Sequence, residues 1–410
     1  MRSAGPKAGR RANVESALDN TRLVEYIRGA RRALSWDFMG RPSDIIVIGS
    51  GIVGSAVAYE LARRGASVEI VDDRPVGMGA TQASAGVLAP FIEARDGSPL
   101  LDLTVRSLDL FDSFMERVVA ESGVAVPYHR TGTLDIATTD DELHALRTTA
   151  DVLARRDVPA LLMDAQAARV EEPQLGDGAI GGLLIASHGF VAAAELTRAL
   201  VTAARRHGAQ LVEQSRVQRI AHVHGDMIVD TDRGSLTGNA VVLAAGSWSG
   251  EIAIDGVKTP IPVRPVRGQL LHLGWTGTPL RRVTWSGRCY LVPWDDGTLL
   301  VGATVEEVGF DERTTVAGVR GLLDAVCGIV PRACEAGFRA ARVGLRPATT
   351  DGLPIIGPSV AMPNLMYATG HYRNGVLLAP LTAQLVADAM LDSRFDQLLA
   401  TVSPSRFGDL

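Results

Sequence analysis

The feature that most constrains the fold of this chain is a glycine loop between a short apolar run and an amphipathic segment. Residues 44–48 are suited to a buried parallel strand, and Gly49-Ser50-Gly51-Ile52-Val53-Gly54 follows them. The pattern then predicts a helix over residues 53–64 and a second strand over residues 68–71, which ends at Asp72. This strand–helix–strand unit predicts a Rossmann-like domain that binds a dinucleotide.

Each glycine of this loop has a distinct physical use. Gly49 permits the turn out of the strand, Gly51 lets a pyrophosphate approach the backbone, and Gly54 lets the helix pack against the sheet. The helix N-terminus would face the phosphates with the positive end of its dipole. Asp72 would accept both ribose hydroxyls, and its charge disfavours the 2′-phosphate of NADP. The alternative, an ordinary glycine-rich turn, does not explain the flanking strands, the helix and Asp72 together.

A second glycine loop near the end of the sequence favours FAD over NAD. Gly370-His371-Tyr372-Arg373-Asn374-Gly375 joins a predicted buried strand at 365–369 to a long predicted helix that starts at Val376. Nicotinamide enzymes do not need such a loop. Aimed at the N1 and C2=O edge of a flavin, the helix N-terminus would stabilise the negative charge that forms on reduction. A plain loop that caps the helix is the alternative.

The remaining pattern predicts two interleaved domains. Helices are predicted at 100–123, 139–155, 192–207 and 316–329, and short strands at 132–137, 211–212, 217–223, 241–246, 269–273, 289–293 and 299–303. The fold class is therefore α/β, with a Rossmann-like FAD-binding domain over residues 44–93, 187–262 and 344–395. An α+β substrate domain with an antiparallel sheet would occupy residues 94–186 and 263–343, and residues 396–410 would form a C-terminal tail.

Residues 1–43 are expected to be a poorly ordered extension. They are rich in arginine but lack the apolar core of a signal peptide, so an appended or mis-started segment is the preferred interpretation. Met39 would be a sensible start. A transit peptide is the alternative, and the acidic residues Glu15, Asp19, Glu25 and Asp37 count against it. No run of about 18 apolar residues occurs, so no integral membrane segment is predicted.

Charge and composition exclude several classes of function. The net charge of −5 and the pI of about 5.9 argue against a nucleic acid or an anionic membrane as a partner. Cys289, Cys327 and Cys334 form no CxxC pair, which favours a reducing, cytoplasmic setting without disulfides. The histidines show no metal-ligand spacing, and no Ser/His/Asp constellation is evident, so no metal is predicted.

Four segments together resemble the FAD-dependent D-amino-acid oxidase superfamily. They are residues 44–72, residues 79–86, Gly344-Leu345-Arg346-Pro347 with Asp351-Gly352, and the loop at 370–375. The last two are the more selective, and they look most like the glycine oxidases of thiamine biosynthesis. The resemblance extends from Ile45 to about Leu391.

The resemblance implies a carboxylate-binding site over the flavin. In that family a tyrosine and an arginine bind the substrate carboxylate, and the matching positions are Tyr290 and Arg346. A guanidinium fork suits a carboxylate, and a tyrosine hydroxyl adds a donor without charge. A structural ion pair for Arg346 and a packed sheet tyrosine remain the alternatives. Arg373 resembles a second family arginine, for which a structural role is equally open, and Arg288 replaces a family histidine, which leaves the substrate preference open.

The resemblance also implies the cofactor contacts. Small residues at 83–86 would leave room for the flat isoalloxazine ring, Val217 would bind the adenine through its backbone, and the turn at 245–246 would pass close to the ribose and pyrophosphate. No cysteine lies near residues 370–375, where sarcosine oxidases attach their flavin, so the FAD is expected to be non-covalent. The expected cofactor-binding residues are Gly49, Gly51, Ile52, Val53, Gly54, Asp72, Thr81, Ala83, Ser84, Ala85, Gly86, Val217, Ala245, Gly246, Gly370, His371, Arg373, Asn374, Gly375 and Val376.

The reaction implied by the resemblance is oxidative deamination of glycine or of a small amine or D-amino acid. A hydride would pass from Cα to flavin N5, dioxygen would reoxidise the flavin and give hydrogen peroxide, and the imine would hydrolyse to the oxo acid. A D-amino-acid dehydrogenase or a sarcosine-oxidase-like enzyme with another electron acceptor is the alternative. A flavoprotein fused into RNA modification, or a binding module, is a third. Relatives are often tetramers, so a homo-oligomer is also implied.

Overall fold

The computed structural model describes residues 44–93 and 97–410, so the extension expected at 1–43 lies outside the described residues. The first strands are β1 (Ile45–Ile48), β2 (Val68–Val71), β3 (Val87–Leu88), β4 (Tyr128–His129), β5 (Thr133–Ala137), β6 (Ala160–Asp164), β7 (Gly181–Ile185), β8 (Gly189–Val191), β9 (Gln210–Val212) and β10 (Val217–Val223). The later strands are β11 (Asp226–Thr231), β12 (Gly234–Gly238), β13 (Ala240–Leu243), β14 (Ala253–Ile254), β15 (Val263–Gly274), β16 (Val283–Trp285), β17 (Tyr290–Pro293), β18 (Thr298–Gly302), β19 (Gly337–Thr349), β20 (Ile355–Pro358) and β21 (Leu365–Thr369).

Helices cover the sheets and connect them. They are α1 (Ile52–Arg63), α2 (Pro90–Glu93), α3 (Pro99–Ser122), α4 (Asp140–Arg155), α5 (Ala165–Glu171), α6 (Ala193–Arg206), α7 (Val316–Ile329), α8 (Gly375–Leu391) and α9 (Leu398–Val402). Short 3₁₀ helices lie at Ala80–Ala83, Gly246–Glu251, Pro331–Glu335 and Pro404–Phe407. None of the helices in the described part of the chain is long and apolar enough to cross a membrane.

The first of the two large sheets has six strands. Its order is β20-β21-β13-β1-β2-β9, and all pairs are parallel except β20 with β21. The side chains of β1 are all buried, as expected for an apolar strand that is covered on both faces. Because β1, β2 and β13 run in the same direction, their carboxyl ends meet at one edge of the sheet. Ligands of open α/β sheets bind at such an edge.

Close packing at this edge depends on glycine. A side chain on Gly54, in the first turn of α1, would overlap the carbonyl oxygen of Gly49, so the helix can approach the sheet only with glycine there. Gly49 itself has φ +108°, a conformation that disfavours other residues. Helix α1 then packs between α6 and α8 through small and aliphatic side chains. These contacts fix where the N-terminus of α1 points.

The second large sheet has eight strands, in the order β19-β15-β18-β17-β16-β5-β7-β6. Its pairs are antiparallel except β16 with β5. Strands β15 and β19 form a long ladder that places Arg346 opposite Val266. A Cβ on Gly268, two residues along β15, would overlap the guanidinium of Arg346, so glycine makes room for that side chain. A four-stranded sheet (β12-β11-β10-β14) and a three-stranded one (β3-β8-β4) complete the fold.

The predicted α/β fold class, with parallel and antiparallel sheets, is confirmed. The first strand–helix–strand unit lies at 45–48, 52–63 and 68–71, and the late strand and helix lie at 365–369 and 375–391. The sequence interpretation did not include β6 to β8, β16 or the long strand β19. The last of these carries Arg346.

Candidate active site

A cavity of about 440 Å³ opens where the carboxyl ends of β1, β2 and β13 face the eight-stranded sheet. Its volume lies within the usual range for cofactor and small-molecule sites. Tyr290, Arg346 and Arg373 line it, together with every expected cofactor-binding residue except Gly54, Gly370 and Asn374. These three lie behind the wall. Gly54 packs against Gly49, Gly370 lies against Thr349, and Asn374 is buried before α8.

The N-terminus of α1 forms one end of the cavity. Gly51 precedes this helix in an extended conformation and provides no side-chain cap. The Ile52 N–H donates to Thr81 Oγ1 at 3.1 Å, which holds the 3₁₀ turn at 80–83 against the helix start. A helix start without its own cap leaves N–H donors and the positive dipole end available to an anion. The backbone here is therefore suited to a pyrophosphate.

Asp72 stands beside this helix start, at the end of β2. Its Oδ2 accepts hydrogen bonds from Ser50 N at 2.6 Å and Ser50 Oγ at 2.8 Å, and its Oδ1 accepts one from Arg74 N at 3.0 Å. These bonds fix the orientation of the carboxylate. A carboxylate has about four acceptor positions, and these three bonds leave about one of them, on Oδ1, for a hydroxyl of a ribose.

The N-terminus of α8 reaches the same cavity from the other end of the sequence. Gly375 and Val376 line the cavity, and Asn374 provides no side-chain cap. The Tyr372 N–H donates to the Pro347 carbonyl at 2.8 Å, which ties the second glycine loop to β19. His371 adds no positive charge near neutral pH, because burial lowers its pKa to about 3. Two helix N-termini that are far apart in sequence thus face one cavity.

Arg346 is a partly buried cation that is held by carbonyl groups. Its Nη1 donates to Thr304 O at 3.0 Å and to Arg267 O at 3.3 Å. Among the described residues, no carboxylate forms an ion pair with Arg346. Burial lowers its pKa, but a guanidinium stays charged in proteins. The cavity therefore contains a positive charge that is suited to an anionic ligand.

Tyr290 lies beside Arg346 in the cavity wall. Burial raises the pKa of its hydroxyl, and so the group remains a neutral hydrogen-bond donor. Its ring lies 4.8 Å from the ring of Trp285, centroid to centroid, and both rings line the cavity. These two aromatic rings narrow the space next to the guanidinium.

Glu93 is a site residue that the sequence interpretation missed. It lies in the one-turn helix α2, and its Oε2 is 3.1 Å from Arg373 Nε while its Oε1 is 3.2 Å from Arg373 Nη2. Burial raises the pKa of Glu93, and the guanidiniums of Arg373 and Arg346 oppose that rise. A helix of one turn has no periodicity that would indicate which residue points into a cavity. Trp285 and Trp248 line the same cavity and were missed for a similar reason.

The shape and chemistry of this cavity fit FAD. The positive helix ends and Asp72 suit the pyrophosphate and the ribose, as described above. Near residues 83–86 the backbone is packed tightly, because a Cβ on Gly86 would overlap the Val191 carbonyl and one on Gly344 would lie 3.0 Å from Ala83 Cβ. Residues 83–86 line the cavity with small side chains, which leaves room for a planar ring.

Comparison with known proteins identifies close relatives. The family model DAO, described as FAD dependent oxidoreductase, matches residues 44–389. The glycine oxidase of Geobacillus kaustophilus (strain HTA426) is 34% identical over 348 residues, which cover 84% of this chain and 92% of that protein. The crystal structure of glycine oxidase from Geobacillus kaustophilus matches with a TM-score of 0.85 at 33% identity, over 89% of this chain and 98% of that one.

A longer relative is similar over a comparable stretch. The bifunctional protein ThiO/ThiG of Synechocystis sp. (strain ATCC 27184 / PCC 6803 / Kazusa) is 35% identical over 376 residues, which cover 90% of this chain and 55% of that protein. The chain therefore spans about half the length of its bifunctional relatives. The family match covers most of the sequence, including both glycine loops. The chain belongs to the DAO family of FAD-dependent oxidoreductases.

Proposed function

We propose that this chain oxidises glycine, or another small amine or D-amino acid, to an imine that hydrolyses to the oxo acid. The observation that carries this proposal is the position of Arg346, a partly buried guanidinium without a carboxylate partner among the described residues, in the same cavity as two helix N-termini. A dinucleotide would satisfy the helix N-termini, and a substrate carboxylate would satisfy the arginine. The similarity to glycine oxidases supports the same substrate class.

The chain's own residues would bind and orient the substrate. Arg346 would hold the carboxylate through two parallel hydrogen bonds, and the neutral Tyr290 hydroxyl would donate a third. Fixing the carboxylate fixes the direction of the Cα–H bond, and orientation of this kind contributes much of the rate of an enzyme. The ring of Trp285 would cover the substrate and exclude water. When bound, FAD supplies the oxidant, which accepts the Cα hydride and passes its electrons to dioxygen.

The same cavity supports the proposed cofactor contacts. Gly49, Gly51 and the start of α1 would hold the pyrophosphate, and Asp72 would hold a ribose. The start of α8 would stabilise negative charge on the flavin. The residues 83–86, 217 and 245–246 would contact the rest of FAD without a covalent bond. Electron transfer to another acceptor, as in a dehydrogenase, is the second candidate, and the release of peroxide separates the two.

Several wider expectations belong to the same proposal. We infer that residues 44–93, 187–262 and 344–395 act as the FAD-binding domain, and residues 94–186 and 263–343 as the substrate domain. We also infer a cytoplasmic homo-oligomer with a role in thiamine biosynthesis. The three cysteines are free thiols, which suits a reducing compartment.

Anaerobic mixing of the purified FAD-loaded protein with amino acids tests the proposal. Glycine, sarcosine and D-alanine should bleach the visible absorbance of the oxidised flavin. Admitting air should restore the absorbance and release one peroxide for each amine oxidised. If restoration requires an artificial dye and no peroxide forms, the dehydrogenase is the correct function. If no amine bleaches the flavin, the proposed substrate class is wrong.

A further inference from the structure

Arg346 and Arg373, two of the arginines that line the cavity, differ in how their charges are balanced. Arg346 donates to carbonyl oxygens, whereas Arg373 forms a two-point contact with the carboxylate of Glu93. The Glu93 side chain is only 12% exposed, and that of Arg373 is 33% exposed. A buried carboxylate that meets a guanidinium fork at two points uses the geometry that a ligand carboxylate would need.

The charges of this cluster match one anionic group. Arg346 and Arg373 contribute two positive charges and Glu93 one negative charge, so one substrate carboxylate makes the cluster neutral. A second carboxylate on the substrate would give an excess negative charge in a partly dehydrated site. It would also have to compete with Glu93 for the Arg373 fork. Such unbalanced charges are costly inside a protein.

We propose that Glu93 is a positioning residue that occupies Arg373 and restricts the site to amines with a single carboxylate. Arg373 lines the cavity together with Trp285 and Tyr290, and its Cζ lies 5.8 Å from the Trp285 ring centroid. Without the negative charge of Glu93, the guanidinium of Arg373 becomes a second site for a carboxylate. The inference names the substrate class of the active site and so rests on the proposed function.

A matched pair of substrates measures this effect. Sarcosine carries a methyl group on its nitrogen and iminodiacetate carries a carboxymethyl group there, so they differ chiefly by the second carboxylate. The wild-type protein should have a higher kcat/KM for sarcosine than for iminodiacetate. In Glu93→Gln the ratio of iminodiacetate to sarcosine should rise by about tenfold or more, as expected for one new charge-assisted hydrogen-bonded pair. The rise should come mainly from a lower KM for iminodiacetate.

Three further variants separate positioning from general damage. Glu93→Asp keeps the charge and should keep the ratio close to that of the wild type. The double variant Glu93→Gln with Arg373→Gln should not show the raised ratio, because it lacks the Arg373 guanidinium that would bind the second carboxylate. Glu60→Gln removes another buried carboxylate paired with arginines, on α1 and outside the cavity, and should not change the ratio.

Binding of unreactive acids gives a second measurement on the FAD-loaded protein. The change in flavin absorbance on titration should give a malonate-to-acetate affinity ratio that is low in the wild type and raised in Glu93→Gln. An unchanged ratio in that variant, or a wild type that prefers iminodiacetate to sarcosine, overturns the inference. A wild type that oxidises neither glycine nor sarcosine overturns the proposed function instead, and the two failures are therefore distinguishable.

Discussion

Arg346 is fixed before any substrate arrives, because carbonyl oxygens of residues 267 and 304 hold one of its nitrogens. Gly268 leaves the space in which the guanidinium lies. The side chain therefore loses little freedom when it binds a carboxylate, and preorganisation of this kind favours binding and catalysis. The Tyr290 ring packs against the Trp285 ring at an interplanar angle of 33°, which restricts its orientation.

Arg346→Ala should lower kcat/KM for glycine by a hundredfold to several-thousandfold. The reason is the loss of about 3–5 kcal/mol of transition-state binding when one partner of a buried charge pair is removed. Arg346→Lys keeps a positive charge but loses the two-point guanidinium geometry. Its kcat/KM for glycine should therefore lie between those of the alanine variant and the wild type. Steady-state kinetics with saturating FAD measures both. Arg339→Ala, on the same strand but outside the cavity, is the control, and an unchanged rate in Arg346→Ala would exclude the residue from the site.

Single residues could be inferred from sequence only where a recognisable motif surrounds them. Arg346 lies in a selective four-residue motif, and Tyr290 in a strand whose pattern resembles that of the family. Glu93 and Trp285 have no such context, and their importance comes from the side chains that the fold brings beside them. Arg373 was left open between two roles, and its contact with Glu93 explains why sequence could not decide between them.

Helices and strands, like single residues, could be inferred from sequence only where a local motif specifies them. Helix α1 and strand β2 are specified by local pattern, since a glycine loop, a periodic segment and an apolar run lie next to each other in sequence. Strand β19 contains two glycines and Pro347, and its first half is largely exposed, so it lacks clear alternation. Its conformation is set by twelve pairings with β15, which lies more than sixty residues earlier in the sequence, as the register Val266↔Arg346 illustrates. Local patterns cannot specify such non-local pairing.

A loop between β18 and α7, which we call the strap (residues 303–315), connects the eight-stranded sheet to the part of the cavity wall that contains Asp72 and Arg74. Its Glu312 pairs with Arg74 at 2.8 Å, and its Phe310 ring lies 5.9 Å from the Trp248 ring. Arg74 also lies 4.2 Å above that ring. The base of the strap is tied to the buried Arg267 through Glu306 at 2.5 Å and Asp311 at 2.9 Å.

The strap should contribute to FAD retention. In Arg74→Ala both the ion pair with Glu312 and the contact with Trp248 are lost, so the dissociation constant for FAD should rise about tenfold, which corresponds to roughly 1–2 kcal/mol. The KM for glycine at saturating FAD should change little, since the contacts of Arg74 are with Asp72, Glu312 and Trp248 and not with Tyr290 or Arg346. Quenching of flavin fluorescence on binding to apoprotein measures the affinity. Arg320→Ala, on the exposed face of α7, is the control, and equal FAD affinities for Arg74→Ala and the wild type would contradict this role.

At the scale of the whole molecule, the cavity is assembled from segments spread from residue 48 to residue 376. The parallel sheet collects the two glycine loops at one edge, and the antiparallel sheet places Tyr290 and Arg346 opposite that edge. The sequence could indicate each half because each half has its own motif. It could not indicate the distance between them, which depends on how the two sheets pack.

The same packing buries ionisable groups whose charges affect stability in opposite directions. Burial lowers the pKa of His188 and His371 to about 3. The unfolded chain takes up protons at these positions below its ordinary histidine pKa of about 6.5, and the folded chain does not. Their contribution to stability is therefore complete above that pH and is lost as the pH falls toward 3.

Asp135 has the opposite effect. It lies on β5 opposite Trp285, and burial together with the Glu142 carboxylate raises its pKa from 3.8 to about 7. Between these two values the folded chain binds a proton that the unfolded chain has released. The folded state is therefore favoured at low pH, and this contribution declines as the pH rises from about 4 through 7.

Asp135→Asn should remove this dependence. Between pH 5 and pH 8 the wild type should lose about 2–3 kcal/mol of unfolding free energy through Asp135, and the variant should not. The free energy of unfolding of the variant should therefore rise relative to that of the wild type as the pH increases. It should be the larger of the two at pH 8, where the wild type must hold a buried carboxylate near Glu142. Urea unfolding at saturating FAD, measured at both pH values, gives the two differences. A stability difference between variant and wild type that is the same at pH 5 and pH 8 would show that Asp135 is ionised throughout, and that its side chain on β5 is open to water.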